Sequence, residues 1–318
     1  LLKNKLVLGS RGSQLALWQT RFVAQLLQSV FPLLDLEIKT IETTGDALLE
    51  TALSKIGDKG LFTKQIEEEL LNGEIDLAVH SLKDLPTTLP DGLKIGAVTM
   101  REIPNDVLIS TKFSSIDDLP RGASVATGSL RRKSQLLAYR ADLRIVEIRG
   151  NVPTRIRKME EANLDAMILA FAGVHRLGMD SFIKQQIPFE IMLPAVAQGV
   201  IGIEIREKDA ETEEFLRLIN DEMTEICVLA ERSFLRTLEG GCQVPIGGHA
   251  ILNDDEITLQ GFVGNMDGSA TMRDSITGNR NDAVELGIKL AERMIENGAN
   301  NLLTETRREA EKSHKKVV

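Results

Sequence analysis

Short apolar runs alternate with amphipathic helical stretches through the first two-thirds of this 318-residue chain, and that alternation constrains it to a layered α/β architecture. Lys5 to Leu8 reads as a strand. Ser10-Arg11-Gly12-Ser13 then opens a helix whose apolar face carries Leu15, Trp18, Phe22 and Leu26. Leu36 to Thr43 alternates as a second strand before a polar, glycine-containing stretch from Thr44 to Gly60. Phe62, Ile66 and Leu70 mark a further helix face, stopped by Gly73, and Ile75 to Val79 is a buried strand that runs into His80-Ser81-Leu82-Lys83-Asp84. The pattern restarts after Pro104. Strands are expected at 107–110, 124–126, 145–148 and 166–170, with helices at 130–139 and 152–162. In such folds ligands gather at the carboxyl ends of the strands.

The restart carries a sequence echo. Gly9-Ser10-Arg11-Gly12-Ser13-Gln14-Leu15 matches Gly128-Ser129-Leu130-Arg131-Arg132-Lys133-Ser134-Gln135-Leu136 once two residues are inserted. A structural echo would mean two similar lobes, each aiming hydroxyls and arginine at a helix N-terminus. The final third differs. Residues 226–238 read as a helix, Gly240-Gly241-Cys242 as a turn, and 244–251, 256–263 and 270–276 as a small antiparallel sheet. An amphipathic helix over 283–297 and a charged, frayed tail over 305–318 complete a third, α+β domain that begins near Asp221.

An arginine-rich island sits inside this acidic chain. Between Arg121 and Glu160 ten Lys/Arg face three Asp/Glu, a net of +7 in a protein of net −9. Eight of the ten cations are arginine, whose planar fork grips carboxylates and phosphates bidentately. A solvated helix face is the bland reading of a charge run. The neighbouring hydroxyls and glycines at element ends favour a site for a ligand with several negative groups. Global acidity and only 4% aromatic residues argue against nucleic acid as that ligand. No apolar run reaches membrane-spanning length and the first residues lack a signal-peptide layout, so a cytoplasmic protein is expected. Cys227 and Cys242 make no disulfide framework, and His80, His175, His249 and His314 lack ligand spacing, so no metal site is expected.

Three clusters could carry chemistry. Arg11 and Ser13, with Thr127, Ser129, Arg131 and Arg132, stand at two expected helix starts, where backbone N–H groups and the helix dipole favour anions. Capping serines beside exposed arginines would look the same. Lys83-Asp84 follows a buried strand, so its carboxylate is placed to orient a donor, hold a developing positive charge or exchange a proton; a surface ion pair is the alternative. Cys242 lies within Glu239-Gly240-Gly241-Cys242-Gln243-Val244-Pro245-Ile246-Gly247-Gly248, an open, constrained loop suited to a nucleophilic or covalently modified thiol, whereas Cys227 reads as a core residue.

Six stretches together resemble the hydroxymethylbilane synthase (porphobilinogen deaminase) family over nearly the whole chain. They are Gly9-Ser10-Arg11-Gly12-Ser13-Gln14-Leu15-Ala16-Leu17-Trp18-Gln19, Lys59-Gly60-Leu61-Phe62-Thr63-Lys64 and Asp76-Leu77-Ala78-Val79-His80-Ser81-Leu82-Lys83-Asp84-Leu85-Pro86. Gly128-Ser129-Leu130-Arg131-Arg132, Arg149-Gly150-Asn151-Val152-Pro153-Thr154-Arg155 and Leu238-Glu239-Gly240-Gly241-Cys242 complete the set.

The resemblance implies two α/β lobes like those of periplasmic binding proteins, residues 1–99 with 200–220 and residues 100–199. It adds a smaller C-terminal α+β domain, 221–318, with a three-stranded antiparallel sheet. It implies a monomer in which Cys242 bears a dipyrromethane cofactor through a thioether. Four porphobilinogen molecules condense onto this primer with loss of ammonia, and hydrolysis then releases hydroxymethylbilane. Lys83, Asp84, Thr127, Ser129, Arg131, Arg132 and Arg155 would bind the cofactor. Arg11, Ser13, Arg149, Arg155, Arg176 and Gln198 would serve the substrate or the growing chain. Asp84 would be the catalytic carboxylate; because the growing chain must move past it, the polar Thr44 to Gly60 stretch is the candidate lid, with Lys55, Lys59 and Phe62 as its residues. A two-lobed binder of small polyanions without catalysis is the alternative, and a nucleic-acid-binding regulator a more distant one.

Overall fold

The computed structural model describes residues 3–43, 63–238 and 244–304. The chain forms two compact units, one of residues 1–102 and 199–225, the other of residues 103–198 and 226–318. The first contains the stretches 1–99 and 200–220. The expected domains 100–199 and 221–318 fall together in the second unit, each around its own apolar clusters.

In the first unit the sheet order is β2-β1-β3-β10-β4. Strand β1 (Lys5–Arg11) runs parallel to β2 (Asp35–Ile41) and β3 (Leu77–Ser81), while β10 (Ile201–Arg206) lies antiparallel between β3 and β4 (Leu93–Val98). The Gln14–Val30 helix buries Val23 and Leu27 with Leu6, Leu8, Leu77 and Val79 on one sheet face. The Lys64–Leu71 helix buries Ile66 and Leu70 with Ile75, Ala78 and Leu93 on the other. Asp76 fixes the entry to β3, because its carboxylate accepts the Val7 N–H and the Lys3 ammonium, both at 2.8 Å.

In the second unit the order is β7-β6-β8-β5-β9. Strand β6 (Ser124–Ala126) runs parallel to β7 (Arg144–Val146) and β8 (Ala166–Ala170), and β5 (Asp106–Ile109) lies antiparallel between β8 and β9 (Ile183–Gln186). Each sheet thus holds three parallel strands, then one antiparallel strand, then an edge strand that pairs antiparallel with it and so runs in the direction of the first three. The echo in the sequence is therefore structural: Ser13 and Ser129 each cap the helix that follows the middle parallel strand.

The C-terminal third supplies the expected three-stranded antiparallel sheet, β11 (Ile246–Asn253), β12 (Glu256–Gly264) and β13 (Thr271–Asn279). Phe234 of the Glu222–Thr237 helix and Leu290 and Met294 of the Ala283–Glu296 helix close over Ile257 and Leu259. Gly261 permits that approach, since a Cβ there would stand 2.6 Å from the Phe234 ring. No expectation covered β4, β9 or β10. In β10 the charge of Glu204 interrupts the apolar run, yet Glu204 is fully buried.

Candidate active site

The candidate residues of the first unit cluster at the carboxyl ends of its parallel strands. Arg11 ends β1, half-buried, and the Ser13 Oγ accepts the Ala16 N–H at 3.3 Å to cap the next helix. Lys83 and Asp84 share one 3-10 turn, Leu82–Asp84, directly after β3. Buried Leu82 roots this turn by donating its N–H to Val200 O at 3.0 Å, and the Gln19 amide donates to Ser81 Oγ at 2.8 Å. The turn is therefore held from below while the Asp84 carboxylate is exposed.

The second unit repeats the arrangement. Thr127 follows β6, and its Oγ1 accepts the Ser129 N–H at 3.2 Å. The Ser129 Oγ accepts the Arg132 N–H at 3.4 Å. Arg149 follows β7 and donates from Nε and Nη2 to Glu147 Oε1 at 2.9 and 2.5 Å. Arg149 and Lys158 line an open cavity of about 640 Å³ with Ile148 and Leu164. Asn151 caps the Val152–Glu161 helix through the Thr154 N–H, and in its first turn Arg155 donates from Nε to Gly150 O at 2.6 Å. Buried Arg176 follows the short Phe171–His175 helix after β8.

Arg131 and Arg132 are less available than the sequence suggests. They are only 5% and 6% exposed, and both point at Asp106, the fully buried first residue of β5. Arg131 Nη1 donates to Asp106 Oδ2 at 2.7 Å and to Leu193 O at 2.6 Å. Arg132 is used on every nitrogen: Nε and Nη2 reach Asp106 Oδ1 at 3.0 and 2.8 Å, and Nη1 reaches Ile168 O at 3.2 Å. Burial alone would raise the Asp106 carboxyl, but the two guanidinium charges and their hydrogen bonds hold it well below the ordinary carboxylate range. Burial also pulls Arg131 below its ordinary value, against the pull of Asp106. Two buried cations and one buried anion leave one positive charge, and no hydrogen bond from Nε or Nη2 of Arg131 occurs among the described residues. A carboxylate fits this donor set.

Gln198, expected to touch substrate, is instead 1% exposed, with its amide nitrogen 2.7 Å from Pro104 O and 2.9 Å from Asp106 Oδ1. Sequence reasoning missed Asp106 altogether. Asp106 begins an antiparallel strand and so reaches the carboxyl-end edge of the parallel strands from the opposite direction, opposite Ala170, where no local pattern marks it. Lys55, Lys59, Phe62 and Cys242 lie outside the described residues. Cys227 is a buried core residue, as expected. Among the described residues no cluster of three or more His, Cys, Asp or Glu could hold a metal, and no helix is long and apolar enough to cross a membrane.

The fold is that of a two-lobed α/β protein with an added α+β domain; at its own strand ends the first lobe carries Arg11, Ser13 and the exposed Asp84, and the second carries arginines and hydroxyls. The family described as porphobilinogen deaminase, dipyromethane cofactor binding domain, matches residues 6–214, and the porphobilinogen deaminase C-terminal domain matches residues 225–296. The chain belongs to the porphobilinogen deaminase family, the hydroxymethylbilane synthases of tetrapyrrole biosynthesis, which are transferases with a dipyrromethane cofactor. It is 51% identical to the porphobilinogen deaminase of Pelotomaculum thermopropionicum over 97% of this chain and 99% of that one. It is 52% identical to that of Syntrophomonas wolfei subsp. wolfei over 96% of this chain and all of that one. Among solved structures, substrate binding domain 2 of Lactococcus lactis GlnP matches with a TM-score of 0.43 and 11% identity, over 68% of this chain and 88% of that one. The family assignment disfavours the non-catalytic polyanion binder.

Proposed function

We propose that this chain makes hydroxymethylbilane from four porphobilinogen molecules, with Asp84 as its catalytic carboxylate and Cys242 as the cofactor's attachment point. The observation that carries the reading is the buried Arg131–Arg132–Asp106 cluster, whose surplus positive charge sits at a strand edge beside capped helix N-termini. Pyrroles bearing acetate and propionate groups are the ligands such an edge selects. Dipyrromethane, when bound, supplies the nucleophilic pyrrole carbon to which the first substrate is joined.

The chain's own residues do the rest. Arg131, Arg132 and Arg155, with Ser129, Thr127 and Lys83, hold the cofactor's carboxylates, Arg131 through the nitrogens that Asp106 does not use and Arg132 through its charge behind them. Arg11, Ser13, Arg149 and Arg176 hold carboxylates of the substrate and of the growing chain. As the substrate's C–N bond breaks and ammonia leaves, positive charge spreads over its ring and onto the ring nitrogen. Asp84, exposed on a turn whose root is fixed, accepts the ring N–H and lowers the energy of that charge. The reading includes three domains, a lid containing Lys55, Lys59 and Phe62, and a monomer acting in the cytoplasm.

Intact-protein mass spectrometry tests it. The expected mass exceeds the polypeptide by two linked pyrroles, and Cys242→Ser abolishes the excess. A bare polypeptide mass in freshly purified, active protein, or a loaded Cys242→Ser variant, overturns the attachment.

A further inference from the structure

Asp106 and Gln198 touch neither cofactor nor substrate in the roles above, yet they stand at the centre of a buried polar network in the second unit. The Asp106 carboxylate is fully buried, and each of its oxygens takes a guanidinium: Oδ2 that of Arg131, Oδ1 that of Arg132. Oδ1 also accepts the Gln198 amide at 2.9 Å, and the same amide donates to Pro104 O. Arg131 is gripped from a second side by Leu193 O, which also accepts the Gln135 amide at 2.9 Å. Gln135 Oε1 in turn accepts the Leu193 N–H at 2.8 Å and Arg273 Nη2 at 2.9 Å. Arg273 comes from β13, where its guanidinium lies 5.4 Å from the Phe262 ring centre.

Every bond in this chain restricts the same side chain. Arg131 Nη1 is pinned twice, which leaves Nε and Nη2 as one edge of a planar fork with a fixed direction. A free arginine would lose side-chain entropy on meeting a carboxylate; this one has lost it already. Charge is set by the same residue. Without Asp106 the two guanidiniums would carry +2 in a space from which water is excluded, whereas with it they carry +1, the complement of one carboxylate.

We propose that Asp106 is a positioning residue for the reaction. It aims Arg131 and sets the cluster to receive a single carboxylate, and Gln198 acts by holding Asp106 rather than by touching substrate. The inference rests on the proposed function, in which Arg131 binds a cofactor carboxylate.

The test is primer loading in the full-length protein, followed by intact mass after incubation with porphobilinogen, alongside circular dichroism and thermal melting. Asp106→Asn, if folded, is expected to load at least tenfold more slowly than wild type. Its loading rate should also depend more steeply on ionic strength, because the cluster's charge rises from +1 to +2; a purely structural lesion would leave that slope unchanged. Gln198→Met keeps the Asp106 charge and removes one donor. It is expected to melt close to wild type yet load a few-fold more slowly, with an unchanged salt slope, and it decides the matter if Asp106→Asn does not fold. A folded Asp106→Asn that loads at the wild-type rate with the wild-type salt slope overturns the proposal, as does a Gln198→Met variant that loads normally when Asp106→Asn cannot be folded. Wild-type protein that never gains pyrrole mass marks failure of the functional reading itself, and is told apart by that control.

Discussion

His80 donates its Nε2–H to Glu204 Oε2 across 2.9 Å, joining strands β3 and β10 in the core of the first unit. The pair ties down the strand that ends at the Asp84 turn. Oε1 of Glu204 and Oε1 of Glu67 are buried without a hydrogen-bond partner among the described residues. Burial raises the Glu67 carboxyl above its ordinary value, and the nearby Glu204 charge raises it further.

A carboxyl raised by folding favours the folded state only while protonated, so its contribution is intact below the unfolded value and is lost as pH climbs through the folded one. Glu67→Gln removes that loss. Thermal melts should show the variant matching wild type near pH 4 and melting about 3 °C higher at pH 7, a typical response to a stabilisation of roughly 1 kcal/mol. A difference that does not change with pH would rule out titration of Glu67 as its cause.

Asp84 protrudes from a turn whose buried anchor is Leu82, so its carboxylate contributes little to the fold. Asp84→Asn should change stability by no more than about 0.5 kcal/mol. A neutral amide cannot balance a developing cation, so turnover should fall at least about 100-fold. Single-turnover rates measured beside melting curves check both; a folded variant with near-normal rates would remove Asp84 from the chemistry.

The parts of this molecule that were legible in its sequence are those that local rules decide. The Leu130–Tyr139 helix and the strands Ser124–Ala126 and Ala166–Ala170 fall where periodicity and flanking residues put them. Ser13 and Ser129 could be read as caps because a hydroxyl before an amphipathic run has few other uses. Strand β10 was not legible, since buried Glu204 finds its partner in His80, more than a hundred residues away. Nor was the engagement of Arg131 and Arg132. Both the attraction and its geometry come from Asp106, whose place opposite Ala170 depends on an antiparallel pairing that no local pattern announces.

Arg149 differs from those two arginines in being a surface residue. Its partner Glu147 is 63% exposed, so the ion pair adds little to stability, and Arg149 faces an open cavity with Lys158. Arg149→Leu should therefore melt within a few degrees of wild type and keep its covalent primer. It should accumulate enzyme-bound species carrying fewer added pyrroles, because a carboxylate of the growing chain loses its partner. Intact masses taken during turnover read this directly, and an unaltered distribution would argue that Arg149 serves no elongation step.

Gly268 links the C-terminal sheet to the helix that bears Arg131 and Arg132. Its φ is +73°, and a Cβ there would lie 2.5 Å from both Ser134 O and Ala138 N, backbone atoms of the Leu130–Tyr139 helix that cannot rotate away. Gly178 shares the left-handed backbone, with φ +67°, but a Cβ on it meets nothing within 4 Å. Gly178→Ala thus isolates the cost of backbone strain, about 1 kcal/mol. Gly268→Ala must add to that cost either a displaced hairpin or a displaced helix. It should be destabilised by about 2–3 kcal/mol more, the scale of overpacking in a tight contact. If the helix is what moves, primer loading should slow in Gly268→Ala even well below its melting temperature, while Gly178→Ala loads normally. Equal melting temperatures for the two variants would show that the contact yields without cost.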